Sequence, residues 1–353
     1  MASQLSNENP KKGLVGLANL GNTCYLNAAL QCLRHVADLT VFFNKHSQDW
    51  IHEEKAPNSD LCRAYKDLVV SLWSGTGPAY LRPAGFLHRF RSALKVTPLD
   101  FMIAPHPHDS YEALLFLLDQ LHEGMKKPLQ IDVNADPTVP AYKALMFWKT
   151  YIAPNYSPIV DYFFGLMEIS VTCGHCKNIS CRYEEFNMLK VGFPNQKQAT
   201  LEECIDYEFK SDDLDEYECE PCSANKKPRG PAVIQRRIWR LPQNLILVLK
   251  RFNHDGSNPV RCNANFTTET IQKFTKWFAP MSPESSRTAD YGLQSIIDHH
   301  GHAGGGHYTS QVKNPMSGLW NMYDDESVNT IRDGSKPHLG SMNYVLFYRK
   351  MVS

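Results

Sequence analysis

The order of hydrophobic and polar residues changes character after residue 158. Before that point, apolar residues recur three or four positions apart along residues 24–33, 60–75 and 109–125, which is the spacing of one face of an α-helix. Three amphipathic helices are therefore predicted there. Residues 128–158 contain many prolines and show no clear period, so they are predicted to form a connector with at most a short helix.

The rest of the chain has the pattern of β-strands. Segments rich in β-branched and aromatic residues favour strands, and they fall at residues 159–173, 184–193, 232–242, 244–252, 291–312, 319–328 and 343–350. Residues 253–288 are ambiguous and can hold an irregular insertion. A helical first third followed by a β-rich remainder indicates an α+β architecture.

Composition and charge narrow the possible functions. Of 353 residues, 42% are hydrophobic, and Lys plus Arg equals Asp plus Glu at 37 each. Binding to nucleic acid or to a membrane surface would favour an excess of positive charge, so neither partner is expected. The longest apolar runs are far shorter than the ~18 residues of a membrane span.

The start of the chain carries no recognisable targeting segment. Residues 1–12 lack the apolar core of a secretory signal, and they are predicted to form a disordered lead. We therefore expect a protein that is not secreted and works in the cytoplasm, the nucleus or both. In that setting ten cysteines indicate reduced thiols, metal ligands or a catalytic thiol rather than disulfides.

Cys24 is a candidate nucleophile. It follows a Gly-Asn-Thr turn and begins the first predicted helix. The positive end of the helix dipole favours a thiolate at that position, and the free backbone N–H groups of a helix start can bind an oxyanion. Taken alone, however, this evidence is weak, because buried cysteines that serve only packing are more common.

A histidine and an aspartate late in the chain supply the groups that such a nucleophile needs. His307 follows three glycines in GGGHYTS, and Asp324 ends another predicted strand. A cysteine nucleophile requires a base, and the base requires an acceptor that orients it. His307 and Asp324 meet these needs if their strands are neighbours. The alternative is that His307, like most of the 14 histidines, has only a structural role.

Two Cys-x-x-Cys pairs predict a metal site. Cys173 and Cys176 form the first pair, and Cys219 and Cys222 form the second. Four thiolates can close a tetrahedral structural zinc site that leaves no open position for substrate. A redox Cys-x-x-Cys pair is the competing interpretation, but two such pairs at the ends of strand-like segments favour one structural Zn²⁺.

Together these motifs resemble a known family. GLANLGNTCYLNAALQCL and the pair GGGHYTSQV and LWNMYDDESV are similar to the Cys and His boxes of the ubiquitin-specific proteases, which are papain-like cysteine deubiquitinases. The segment LPQNLILVLKRF resembles the strand before the His box, and the paired cysteines resemble the family's zinc-bearing fingers. The resemblance implies a right-hand fold with a helical thumb, a β-rich palm and zinc-bound β fingers.

The family resemblance also implies roles for individual residues. Cys24 matches the nucleophile, His307 the general base, and Asp324 the residue that orients the base. Asn19 matches the position whose amide helps to bind the oxyanion. Asp325 occupies the adjacent acidic position and is expected to support the site.

Three further residues match positions at which the family contacts substrate. Asp109 and Glu112 match carboxylates that face arginines in the C-terminal segment of ubiquitin, and His299 matches a residue that lines the site. Asp109 can also be a helix N-cap. Pro107 and Ala113 depart from the family, which usually has a glutamine and a large apolar residue there.

The resulting expectation is a thiol-dependent deubiquitinase that cleaves after the C-terminal glycine of ubiquitin. A protease for a ubiquitin-like modifier, an inactive ubiquitin-binding scaffold and a zinc-dependent interaction module are the alternatives. Residues 13–353 are expected to form a single monomeric catalytic domain, with the thumb at about 13–158, the fingers at about 159–240 and the palm at about 241–353.

Overall fold

The computed structural model describes residues 12–139, 141–255, 258–286, 290–302, 305–332 and 334–351. The predicted disordered lead lies outside the described part except for Lys12, and so does Gly304 of the glycine run before His307. No helix in these ranges is both long and apolar enough to cross a membrane.

Helices dominate the chain up to residue 163. They are α1 (Cys24–Leu33), α2 (Ala37–Lys45), α3 (Asn58–Trp73), α4 (Ala84–Leu94), α5 (Ser110–Met125), α6 (Ala141–Ile152) and α7 (Pro158–Phe163). The three helices predicted from the apolar period are α1, α3 and α5, and their ends lie within two residues of the predicted ones. All ten residues of α1 are buried, because this helix lies between α5 and the large sheet.

The sequence pattern underestimated the helices between residues 128 and 163. The predicted connector contains α6, which has 12 residues, and the segment predicted as a strand from residue 159 begins with α7. Pro158 occupies the first turn of α7, where the fixed φ of proline suits a helix start and the missing N–H costs nothing. The strand begins only at Gly165.

Strands and two short helices form the remainder. The strands after β1 (Gly16–Leu17) and β2 (Tyr80–Leu81) are β3 (Gly165–Cys173), β4 (Ile179–Phe186), β5 (Leu189–Val191), β6 (Gln198–Thr200), β7 (Asp212–Tyr217), β8 (Gly230–Arg240), β9 (Asn244–Leu249), β10 (Phe252–Asp255), β11 (Asn258–Arg261), β12 (Asn265–Thr267), β13 (Ile271–Lys273), β14 (Asp290–His302), β15 (Gly305–Lys313), β16 (Trp320–Asp324), β17 (Ser327–Thr330) and β18 (Asn343–Lys350). The helices are α8 (Leu201–Glu208) and α9 (Glu220–Ala224).

Two sheets organise these strands. The palm sheet has the order β17-β16-β15-β14-β18-β9-β5, with β13 also paired to β14. The finger sheet has the order β4-β3-β8-β7 and is antiparallel throughout. The ambiguous stretch after residue 252 contains the hairpin β10–β11 and the short strands β12 and β13.

The continuous apolar run of β9 is explained by a palm sheet that is covered on both faces. Side chains alternate between the faces of a strand. Ile246 and Val248 pack into the core shared with helices α1–α5, whereas Leu245, Leu247 and Leu249 pack into a second core that includes α8. A sheet buried on both sides needs apolar residues at every position, and it holds β14, β15 and β16 rigidly.

Gly124 lies where α5 approaches α3 most closely. A Cβ added there would lie 2.6 Å from Sγ of Cys62 and 2.9 Å from the carbonyl carbon of Asn58. We expect Gly124→Ala to destabilise the protein by about 1–3 kcal/mol through overpacking, measured as a lower thermal unfolding midpoint. Gly85→Ala in α4 is the control, since nothing lies within 4 Å of its added Cβ, and its midpoint should not fall. Equal midpoints for the two variants would contradict this packing.

Candidate active site and metal cluster

Cys24 is the first residue of α1 and is only 5% exposed. The preceding Thr23 does not cap the helix with its side chain. Its hydroxyl instead accepts a hydrogen bond from the backbone N–H of Leu20 at 2.9 Å. The turn before Cys24 is thus held in place by Thr23, and α1 itself is fixed by packing on β15 and α5.

The environment of Cys24 opposes ionisation of the free thiol. Burial raises the pKa of Cys24, and the Asp325 carboxylate acts in the same direction. Backbone N–H groups of Tyr308, Tyr25 and Cys24 lower the pKa, but burial outweighs them. The helix start therefore does stabilise the thiolate, as predicted, but burial has the larger effect on the pKa of Cys24. Without substrate, the geometry favours the neutral thiol.

β15 brings His307 to the start of α1. The backbone N–H of Tyr308, the residue after His307, is close enough to the Cys24 thiol to lower its pKa. The Nε2 atom of His307 lies 2.6 Å from Oδ1 of Asp324, the last residue of β16. β15 and β16 are antiparallel neighbours. The sequence analysis required the strands of His307 and Asp324 to be adjacent, and they are. Because Nε2 faces Asp324, Nδ1 is the ring nitrogen that this carboxylate does not engage.

Asp325 joins Asn19 to the palm sheet. One carboxylate oxygen accepts a hydrogen bond from Nδ2 of Asn19 at 2.9 Å, and the other accepts one from Nδ2 of Asn27 at 2.8 Å. The Oδ1 atom of Asn19 accepts from the backbone N–H groups of Gly21 and Thr23. These contacts fix the orientation of the Asn19 amide and leave one Nδ2 hydrogen for another acceptor.

Asn27 is a residue of this site that the sequence analysis missed. It lies on α1 and is 3% exposed, and its amide also donates to the carbonyl groups of Leu17 and Ala18. An amide side chain within an otherwise apolar helical pattern is the signal that could have found it, because buried polar groups need partners.

Glycines shape the hairpin between β14 and β15. Gly301 has φ +122°, and a Cβ on Gly306 would lie 2.2 Å from the carbonyl oxygen of His300. The same Cβ would lie 2.6 Å from Nε2 of His299, so this ring lies directly behind the hairpin. Only glycine allows the backbone to approach this closely.

His299 is placed behind the glycine hairpin rather than on the surface. It is 3% exposed and packs on the rings of Tyr308 and Phe252 with centroid distances of 4.7 and 5.0 Å. Burial lowers the pKa of His299 to about 4, with a further contribution from Arg261. The imidazole is therefore neutral at physiological pH. Its predicted role in substrate binding remains a prediction.

Asp109 has the N-cap geometry that the sequence suggested for it. Its Oδ1 accepts from the backbone N–H of Tyr111 at 2.6 Å, and Oδ2 accepts from the hydroxyl of Tyr344 at 2.8 Å. Burial raises the pKa of Asp109. Glu112 lies one turn further along α5, half-buried, and its pKa is raised by burial and by Asp109. Nothing local in the sequence could have indicated Tyr344, which lies 235 positions away.

The four predicted metal ligands come together at the end of the finger sheet. The Sγ atoms of Cys173, Cys176, Cys219 and Cys222 all lie within 4.8 Å of one another. The Cys173–Cys222 and Cys176–Cys219 sulfur distances are 3.8 and 3.5 Å. A tetrahedral ion with bonds of about 2.3 Å would separate its sulfur ligands by about 3.8 Å, whereas a disulfide needs about 2.05 Å. This cluster could hold a metal ion, and its spacing is not that of disulfides.

Comparison with known families and proteins agrees with this geometry. Residues 15–348 match the family described as ubiquitin carboxyl-terminal hydrolase. The chain is 29% identical to ubiquitin carboxyl-terminal hydrolase Usp2 of Drosophila melanogaster, over 98% of this chain and 36% of that protein. It is 28% identical to ubiquitin carboxyl-terminal hydrolase 2 of Homo sapiens, over 97% of this chain and 56% of that protein. The chain thus spans between about one third and just over half of these relatives.

Solved structures establish the fold. The SAGA DUB module that contains Ubp8, bound to monoubiquitin, matches with a TM-score of 0.75 and 23% identity, over 98% of this chain and 71% of the other. A yeast SAGA DUB module matches with a TM-score of 0.73 and 24% identity, over 98% and 70%. The expected α+β right-hand fold is confirmed.

The raised pKa of Cys24 predicts how its reactivity depends on pH. Alkylation by iodoacetamide requires the thiolate, so we expect the rate at Cys24 to rise steadily with pH and to reach no plateau below about 8.5, the ordinary thiol value. Peptide-level mass spectrometry measures the rate. Cys32 is the internal control, because it is fully buried and should stay unmodified in folded protein. A plateau near neutral pH would show instead that Cys24 rests as a thiolate.

Proposed function

The chain belongs to the ubiquitin carboxyl-terminal hydrolase family, and we propose that it is a thiol-dependent deubiquitinase. It would hydrolyse the isopeptide or peptide bond that follows the C-terminal glycine of ubiquitin. The observation that carries this proposal is the hydrogen bond between His307 and Asp324 on strands next to the start of α1, where the backbone N–H of Tyr308 lowers the pKa of the Cys24 thiol. The relatives' names and the ubiquitin-bound neighbour support ubiquitin as the modifier.

The first half of the reaction forms a thioester. His307 accepts the Cys24 proton at Nδ1, and the sulfur attacks the carbonyl carbon of the modifier's last glycine. The proton then passes from His307 to the leaving amine nitrogen, so that the carbon–nitrogen bond breaks as the thioester forms. Asp324 keeps the His307 ring oriented and stabilises its cationic form.

Each half of the reaction passes through a tetrahedral intermediate in which the carbonyl oxygen of the modifier's last glycine is negatively charged. The second Nδ2 hydrogen of Asn19 and the backbone N–H of Cys24 are the donors we assign to it, since preorganised donors stabilise such an oxyanion. Asp325 positions the Asn19 amide through the 2.9 Å hydrogen bond. In the second half of the reaction, His307 takes a proton from water, and the water oxygen attacks the thioester carbon. The carbon–sulfur bond then breaks, and the Cys24 thiolate regains its proton from His307.

The two carboxylates near the start of α5 are assigned different roles. Asp109 is already engaged by Tyr111 and Tyr344, so we assign it the positioning of the α5 start. Glu112 is half-buried, and among the residues that the structure describes no side chain donates a hydrogen bond to it, so we assign it the contact with arginine in the modifier's C-terminal segment. His299 supports the glycine hairpin between β14 and β15, which we expect to border the path of the modifier's C-terminal segment.

Covalent labelling tests the nucleophile. A ubiquitin probe with a C-terminal electrophile should add one ubiquitin to the wild-type protein and none to Cys24→Ala, because Cys24 is the assigned nucleophile and its replacement removes the thiol that forms the bond. The shift is read on a denaturing gel and located by mass spectrometry. Cys32→Ala is the matched control and should label like the wild type.

The same experiment separates the alternatives. Equal labelling of Cys24→Ala and wild type, or no labelling of either, would refute the nucleophile assignment. Exclusive reaction with a probe that carries a ubiquitin-like modifier would retain the chemistry and change the substrate. Binding of ubiquitin without labelling would point to the inactive scaffold.

We also propose that the four-cysteine cluster holds one structural Zn²⁺. Cys173, Cys219 and Cys222 are buried, with Cys176 at the surface, and the backbone N–H of Cys176 lowers the pKa of Cys173 to about 6. Four sulfur ligands favour zinc and leave no position for substrate. The ion would tie the β3–β4 turn to α9 and would take no part in the hydrolysis.

Replacing one ligand tests the structural role. We expect Cys173→Ser to lose the bound zinc, measured by elemental analysis, and to unfold at lower temperature because metal binding contributes to folding. Cys181→Ser, a cysteine of the same sheet outside the cluster, should keep both. A Cys173→Ser protein with full zinc content and an unchanged unfolding midpoint would contradict the assignment.

A further inference from the structure

A groove runs beside α2 at the end of β15 that lies away from His307. Its main cavity measures about 610 Å³, within the usual ligand-site range, and lies between α2, α7 and the ends of β14, β15 and β18. Lys313 at this end of β15 is six residues from His307, or about 20 Å along a strand. We call this cavity and its extension toward Lys12 the α2 groove.

Part of the lining of the α2 groove is apolar. Val41 and Phe42 of α2 face Tyr162 of α7, with the Phe42 and Tyr162 rings 6.2 Å apart. Pro315 forms the opposite side and also borders the extension toward Lys12. Together they offer a surface on which an aromatic or aliphatic side chain can pack.

The loop that contains Pro315 is held in place by hydrogen bonds within the protein itself. The Asn314 side chain accepts from the backbone N–H of Met316 at 2.9 Å and donates to the carbonyl group of Lys12 at 2.9 Å. Asn314 is fully buried. A preformed wall lowers the entropy cost of binding.

The rim of the α2 groove is positively charged. Lys12, Lys45 and Lys313 border it, and within the residues that the structure describes none of the three forms an ion pair. Asp38 is paired with Arg349 at 2.9 Å and does not neutralise the lysines. Three uncompensated cations around an apolar floor are complementary to an anionic partner with an apolar side chain.

Asp38 supplies a third, directional feature. Its Oδ1 accepts from Arg349, but its Oδ2 is buried and has no hydrogen-bond partner. A buried carboxylate oxygen without a donor is costly. Asp38 lines the groove, so a turn of its side chain toward the groove would expose this oxygen to a donor from a bound molecule, such as an indole N–H, which would remove that cost.

From these three features we propose that the α2 groove binds a short acidic protein segment anchored by a tryptophan. The indole ring packs between Val41, Phe42 and Tyr162, and its N–H donates to Oδ2 of Asp38 once that carboxylate turns toward the groove. Acidic residues on either side of the tryptophan meet Lys45 and Lys313. The surface is separate from the catalytic cleft, so the protein can hold this partner and a conjugated modifier at the same time.

Fluorescence anisotropy with synthetic peptides tests the proposal on the full chain. The probe is a fluorescein-labelled peptide with one central tryptophan flanked by aspartate and glutamate. We expect saturable binding that weakens as sodium chloride rises, since salt screens the lysines. Lys45→Glu and Lys313→Glu should each weaken binding about tenfold or more, and Val41→Trp should block it by filling the floor.

The controls distinguish this site from general attraction to charge. Lys210→Glu makes the same charge change at an exposed position outside the groove and should bind like the wild type. A peptide with alanine in place of tryptophan should bind at least tenfold more weakly. Thermal unfolding of each variant confirms that it is folded.

Three outcomes would overturn the proposal. One is no saturable binding of the tryptophan peptide by the wild-type protein. Another is an equal effect of Lys210→Glu and Lys313→Glu, which would indicate nonspecific electrostatics. The third is complete competition by millimolar inorganic phosphate with no loss in the alanine peptide, which would indicate a simple anion site.

Discussion

The Asp325 carboxylate is the contact on which the geometry of the candidate active site depends. Its two oxygens bind the amides of Asn19 and Asn27, and its carbonyl group accepts from the backbone N–H of Leu17 at 2.8 Å. One residue thereby fixes the segment before α1, and α1 itself, against the turn that follows Asp324. Its φ of +47° lies in the left-handed region, which aspartate tolerates better than most residues. The cost is electrostatic, because this same charge raises the pKa of the Cys24 thiol.

A neutral resting thiol fits a site that is completed by its substrate. Burial and Asp325 oppose the thiolate, whereas the N–H groups at the helix start favour it. In the proposed mechanism, transfer of the proton to His307 creates an imidazolium that Asp324 would stabilise across 2.6 Å, so the charge separates only where Cys24 and His307 are aligned. The rigidity needed for this comes from the palm sheet, which is packed on both faces and fixes β15 relative to β16. Loops alone would not hold such distances.

The features that could be predicted from the sequence were those determined by residues close together in the chain. The helices α1, α3 and α5 have regular apolar periods, and the Cys, His and Asp motifs lie in short recognisable segments, so both were predictable. Helix α6 was not, because its apolar residues pack on the base of the finger sheet, a contact that its proline-rich surroundings do not reveal. The bond from Tyr344 to Asp109 and the role of Asn27 depend on chain segments that meet only after folding.

Two buried arginines show how irregular segments next to the site are kept in place. Arg34 and Arg251 are fully buried, and burial lowers the pKa of each to about 10, so both remain charged at neutral pH. Their described hydrogen bonds go mainly to carbonyl groups, from Arg34 to those of Gly13 and Val15, and from Arg251 to those of residues 262, 264, 340 and 343. A planar guanidinium can satisfy several carbonyl groups at once, which lysine cannot do with the same geometry. Arg34 thereby anchors the segment that leads to Asn19. Arg251 anchors the segment that follows β11 and the segment at the start of β18.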